Sequence, residues 1–286
     1  MNTTAPTDTS ADTRAGHRSS IPSATDPGPG AVIRSEWLKF WSAKAPRRNL
    51  VLGTLLGTGL SVLISLVSAL TFDDWPAQQQ AEFDPILYPM AGTLFVAIFY
   101  VAAGVNTAAS EYASGMIRLT FTATPRRERV LYAKAIVVAV ATTIAGLVAT
   151  LAMFGISQAI YSANGLPTAS FTDASLWRTI ASLALLGPLF PVIGTALGFI
   201  LRSTAGAITA TLALVFAPSM FGGLLPSWWR ENVISLLPGP ASDSIAIGHL
   251  DDADIYLAPG LAAVVLVAWL ALTWFGTRAI VNRRDA

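Results

Sequence analysis

Six stretches of the chain carry no charged side chain: residues 49–72, 85–110, 135–172, 179–201, 203–229 and 255–277. A helix that crosses the hydrocarbon core needs roughly 20 mostly apolar residues, because backbone polar groups cannot be left unpaired there. Each stretch meets that length, and together they occupy nearly the whole chain after residue 48. A soluble domain of this size would hold one or two such runs as buried helices. The pattern therefore predicts an all-α polytopic membrane protein of six transmembrane helices, at about 50–71, 87–109, 133–155, 180–201, 205–225 and 259–277. The third run is too long for one helix. Asn164-Gly165-Leu166-Pro167 in its tail marks a loop, so that helix is expected to end near Gly155.

The polar segments between the runs are sorted by charge. With the N-terminus placed inside the cell, every Lys and Arg except Arg178 and Arg230 falls on the inner side. Asp73, Asp74, Glu82, Asp84, Asp251, Asp252 and Asp254 fall outside. That asymmetry obeys the positive-inside rule and predicts both termini in the cytoplasm. Residues 1–30 are rich in Thr, Ser, Pro, Gly and Asp and read as a disordered cytoplasmic tail, followed by a single membrane domain over 31–286. No apolar run before residue 50 resembles a secretory signal. The chain has no cysteine and two histidines, His17 and His249, which leaves no disulfide and no multi-histidine metal centre.

Two inner flanks combine charge with apolar residues. In the first, Ile33, Trp37, Phe40 and Trp41 share a helical face opposite Ser35, Lys39 and Ser42, as in a helix lying in the interface and halted by Pro46. An irregular juxtamembrane anchor is the alternative. The second, 111–134, is too long for a tight turn, and a short helix there would present Met116, Ile117, Leu119 and Phe121. Such a helix could dock another protein; alternatively, Arg126, Arg127 and Arg129 only set topology and touch anionic lipid. On the outer side, Trp228, Trp229, Val233, Leu236 and Leu237 suggest a short interfacial helix broken by Pro238-Gly239-Pro240.

The spans contain no ionisable residue at mid-depth, which weighs against proton- or ion-coupled carriers and intramembrane proteases. No phosphate-binding glycine–lysine loop is present, so ATP-driven transport would need a partner chain to bind the nucleotide. The fourth span holds Gly187-Pro188 and Pro191, which should bend it, and then Gly194 and Gly198 at a spacing suited to close helix packing. Gly53 and Gly57 repeat that spacing in the first span. Packing within the monomer, a dimer seam and a pore-lining bend are all compatible with it. Phe95, Phe99, Asn106, Pro188 and Pro191 are candidates for a substrate path, against the plainer alternative of packing and interhelical hydrogen bonding.

These residues resemble the six-helix permease subunits of ATP-binding-cassette exporters. The resemblance rests on Ser35-Glu36-Trp37-Leu38-Lys39, on Glu111, Gly115, Arg118, Thr120, Pro125, Arg126, Arg127 and Lys134, and on Pro238. It implies an N-terminal elbow helix, a cytoplasmic coupling helix between spans 2 and 3, and short outer helices between spans 5 and 6. It also implies that Glu111, Gly115 and Arg118 begin the coupling region and that Pro125, Arg126 and Lys134 form its exit into span 3. Met116, Ile117, Leu119 and Phe121 would then contact the ATPase. The expected assembly has two ATPase copies carrying Mg-ATP, and two permeases, as a homodimer. Membrane lipid would surround it, and no nucleic acid is involved. The permease itself would hold no cofactor, catalyse no covalent step, and move an amphipathic or hydrophobic cargo outward. An ion-coupled secondary transporter and a non-transporting scaffold or immunity protein are the competing classes.

Overall fold

A computed structural model describes residues 27–124, 126–246 and 257–283. The expected tail over its first 26 residues, Pro125, His17, His249 and the Asp251, Asp252, Asp254 cluster lie outside the described residues. Among the described residues the chain forms twelve α-helices. The first six are α1 (Pro29–Ser42), α2 (Lys44–Thr71), α3 (Ala77–Ala81), α4 (Thr93–Ala113), α5 (Met116–Ala123) and α6 (Arg127–Ala163). The second six are α7 (Ala174–Leu186), α8 (Leu189–Leu201), α9 (Thr204–Phe221), α10 (Ser227–Asn232), α11 (Pro238–Ala246) and α12 (Pro259–Arg283).

Among the described residues, five helical segments are long and apolar enough to cross a membrane: Lys44–Asp74, Tyr88–Ala113, Arg127–Ala163, Thr204–Leu224 and Pro259–Arg283. The remaining expected span, the fourth, is a pair of 13-residue helices, α7 and α8. Pro188 has no N–H to continue the ladder, so the helix breaks there instead of bending. Pro191 is tolerated because it falls in the first turn of α8, where N–H groups lack intrahelical partners anyway.

The distribution of side chains is that of a protein bathed in lipid. Helix α2 buries Gly53, Gly57, Ser61, Ser65 and Ser68 and turns Leu55, Leu63 and Leu70 outward. In water the reverse would hold; in a bilayer, small residues face the neighbouring helix and leucines face the acyl chains. A Cβ at Gly53 would meet Phe99 of α4 at 2.8 Å, and one at Gly57 would meet the Gly92 carbonyl, also at 2.8 Å. Farther along, Ser157 of α6 accepts from Ser65 at 2.7 Å, and Tyr161 donates to Ser65 at 3.1 Å. Gly194 and Gly198 of α8 pack in the same way on Val101, Val105 and Ala108 of α4. Both small-residue motifs are thus used inside the monomer. Helix α4 is the centre, between α2 and α8.

Several boundaries differ from the expected ones. Helix α6 continues to Ala163 instead of ending near Gly155, and at about 1.5 Å per residue it is far longer than a ~30 Å hydrocarbon core. Its extra turns are held by Ser157, by Tyr161 and by Gln158, which donates to the Pro85 carbonyl at 2.7 Å. The Asn164-Gly165 break is where the sequence placed it, with Gly165 at φ 73°. Helix α1 stops at Ala43, not at Pro46; Pro46 sits in the first turn of α2, a position proline tolerates. Pro238-Gly239-Pro240 begins a helix, α11, instead of merely interrupting one. A Cβ on Gly239 would lie 1.8 Å from the Val215 carbonyl, so α11 is seated directly on the backbone of α9.

Candidate functional site

Three ionisable residues that the sequence places far apart meet at one end of the bundle. Glu36 lies on the packed face of α1, Glu111 on the last turn of α4 and Lys134 in the third turn of α6. All are buried, Lys134 to 2% exposure. A charge withdrawn from water is strongly penalised unless it is paired and hydrogen-bonded. Here the pairing is close: Lys134 Nζ donates to Glu36 Oε2 and to Glu111 Oε1, each at 2.6 Å. Lys39 completes a balanced set of two cations and two anions, at 2.7 Å from Glu36 and 3.5 Å from Glu111. Lys39 also donates to Thr120 Oγ1 at 3.1 Å, and Thr120 donates to Glu111 Oε2 at 3.3 Å. One charge cluster therefore fastens α1, α4, α5 and α6 together.

Helix α5 is positioned by its own ends as well. Gly115, at φ 72°, takes the left-handed conformation that turns the chain out of α4 and into α5. Only glycine adopts it without a steric cost. Ile117 and Phe121 then point inward, into a core with Val32 of α1, Ala108 of α4, Val130 and Leu131 of α6, Phe199 of α8 and Val281 of α12. Arg127 stacks over Phe121 at 5.2 Å. The opposite face is bare: Leu119 is 70% exposed, with Arg118 and Thr122 also exposed, while Met116, half-exposed, sits on the flank it shares with Thr120. The helix thus uses two of its four expected contact residues to anchor itself and leaves Met116 and Leu119 to meet anything outside.

The start of α6 is clamped to the end of α12. Arg127 donates to the Val281 carbonyl at 3.0 Å, while Glu128 accepts from Arg278 at 2.9 Å and from Asn282 at 3.2 Å. Arg129 reaches the Pro27 carbonyl at 2.6 Å. The basic residues read from sequence as topology signals are therefore also structural ties, and Arg126 is exposed beside them. Between α1, α4 and α5 lies a cavity of about 390 Å³ whose wall includes Asn106, Ser110, Glu111, Lys39 and Met116.

The residues expected to form a substrate path are not gathered together. Asn106 lines the cavity just described and donates to the Ala102 carbonyl at 2.7 Å. Pro188 caps α8, and Pro191 packs its backbone against Gly104 of α4. Phe99 packs over Gly53, and Phe95 is exposed on the outer surface of the bundle. Pro125 lies outside the described residues. Sequence reasoning leaves Glu36 and Lys39 out of the site: Lys39 falls on the polar face of an amphipathic flank, and Glu36 enters only through the resemblance. The available signal was an acid within one turn of a lysine on a face otherwise made of Val32 and Phe40.

No curated protein matches the chain. The model of a family described as a protein of unknown function (DUF2705) matches residues 77–285, most of the chain, and the protein belongs to that family.

Proposed function

We propose that this multi-span membrane protein is the permease subunit of an ATP-driven exporter. It lies in a bacterial cytoplasmic membrane with both termini inside, α7 and α8 together supplying a sixth crossing. Two copies pair to form the path, and two cytoplasmic ATPase chains bind Mg-ATP beneath them. This chain catalyses no covalent step; it contributes two conformations with different affinities for cargo. Helix α1 serves as the elbow and α5 as the coupling helix.

One observation carries this reading. An eight-residue helix, α5, stands at the end of the bundle with Leu119 bare on its outer face and Met116 half-exposed at its edge. Its inner face is fastened through Thr120, Ile117 and Phe121 to five other helices. A helix that is rigidly tied inward and apolar outward is suited to receive a push from a docked partner and pass it to α1, α4 and α6 together. The positive-inside asymmetry supports a cytoplasmic position for it.

The test is a mild-detergent purification of the tagged chain from its native membranes, with mass spectrometry and stoichiometry. The expected result is an ATPase subunit with a phosphate-binding loop, in equal number to the permease. Leu119→Asp should abolish its recovery while leaving the permease folded. Absence of any such ATPase, from a preparation shown to preserve a known complex of this kind, would overturn the reading.

A further inference from the structure

The half of the bundle remote from α5 contains a second cavity, of about 410 Å³. Helices α4, α6, α9 and α11 and the α7–α8 junction build its walls. They are largely apolar and aromatic, with Leu94, Phe190 and Phe216, and carry separated hydroxyls on Thr93, Thr142 and Thr150. Gly187 is part of the wall at the point where Pro188 withdraws a backbone donor from the broken helix. Irregular backbone at membrane depth is stable only where it is covered by protein or lines a cavity, so the break and the cavity account for each other.

Among the described residues, Asp243 brings the one carboxylate into this wall. It is carried by α11, which the close seating of Gly239 on α9 sinks into the bundle. Its partner is the Ser219 hydroxyl, which donates to Oδ2 at 3.0 Å, and among the described residues no cation pairs with it. The contrast with Glu36 and Glu111 is sharp, since each of those has an ammonium at 2.6 Å. Burial pushes the Asp243 carboxyl above the usual carboxylate range, and the serine hydrogen bond only partly offsets this. An anion in that condition is electrostatically under-compensated, and an arriving cation would relieve it.

We infer that this cavity binds an organic amine with an apolar body, its ammonium paired to Asp243 and its body held among Leu94, Phe190 and Phe216. The volume suits a drug-sized molecule, for which pockets span roughly 300–1,000 Å³. Aromatic rings add attraction for a cation within about 6 Å of their faces. A phosphate or carboxylate ligand would meet the repulsion of Asp243, and a neutral lipid tail would leave that charge unrelieved. The inference deepens the export reading only in calling the occupant a cargo.

The test uses the full-length chain in lipid nanodiscs, without any ATPase, and follows the fluorescence of dansylcadaverine, a primary amine on an apolar aromatic body. Its N-acetyl derivative, which keeps the same apolar body but is uncharged and larger by one acetyl group, is the comparison, and empty nanodiscs correct for partitioning. Saturable amine binding is expected, weakened about 10- to 100-fold by N-acetylation or by Asp243→Asn, the range for a hydrogen bond to a charged group. Asp243→Glu should retain most of the affinity, and Ala97→Phe, which fills the cavity, should remove binding of both probes. Equal affinity for the amine and its acetyl derivative on the native chain would overturn the inference without any substitution. So would undiminished amine binding by a folded Asp243→Asn variant. Because no ATPase is present, failure here is separate from failure to recover one from membranes.

Discussion

The two ends of the bundle treat buried charge in opposite ways. At the α5 end, Glu36, Lys39, Glu111 and Lys134 form a neutral, fully hydrogen-bonded set contributed by three helices and linked through Thr120 to a fourth. At the remote end, Asp243 faces an open cavity with a serine hydroxyl as its partner. The first arrangement leaves no charge for a ligand and ties the helices to one another. The second holds little together and leaves a charge for something else to satisfy. A protein that transmits force at one end and accepts a solute at the other would be divided in this manner.

The sharpest way to break that comparison is to neutralise one charge at each end. Lys134→Met leaves two buried carboxylates sharing Lys39, and removing one partner of a buried pair typically costs about 3–5 kcal/mol. A large fall in the thermal unfolding midpoint in detergent is expected, largely restored when Glu36→Gln and Glu111→Gln are added. Asp243→Asn removes an under-compensated charge and should leave the midpoint unchanged or slightly raised. Similar destabilisation by the two single substitutions would erase the distinction between the ends.

A smaller effect sharpens the role of α5. Nothing lies within 4 Å of a Cβ built on Gly115, so Gly115→Ala meets only the cost of a left-handed backbone. That is about 1–2 kcal/mol. The expected outcome is a modest drop in the unfolding midpoint together with weaker ATPase recovery, because α5 leaves α4 at an altered angle. A stability change of this size with undiminished recovery would mean that the orientation of α5 does not matter for docking.

How much of this was legible in the sequence depended on how local each cause was. The spans, the small-residue motifs and the turn at Gly115 follow from periodicity and backbone chemistry within a few residues of each other. The length of α6 was hidden because Ser157, Gln158 and Tyr161 look like a loop until Ser65 and the Pro85 carbonyl are known to be opposite them. The charge cluster was harder still, as Glu36 and Lys134 are 98 residues apart in sequence. Asp243 draws no reading from the sequence, because Pro238-Gly239-Pro240 reads there only as a breaker, although such a run also suits the first turn of a helix. Only the contact between Gly239 and the α9 backbone, a tertiary fact, turns that loop into a cavity wall. On α4 the sequence pointed to Phe95 and Phe99, whereas the cavity takes the neighbouring face through Leu94 and Ala97.

The absence of native cysteine makes one direct measurement simple: a single cysteine at Leu119 is the chain's only thiol. In intact membranes a short thiol-to-amine cross-linker should join it to a nucleotide-binding ATPase subunit, with a yield that changes when Mg-ATP is added. An impermeant maleimide added outside the cells should not reach it. Labelling from outside, or cross-linking that never captures such an ATPase while a control complex cross-links normally, would contradict the assignment of α5 as the coupling element.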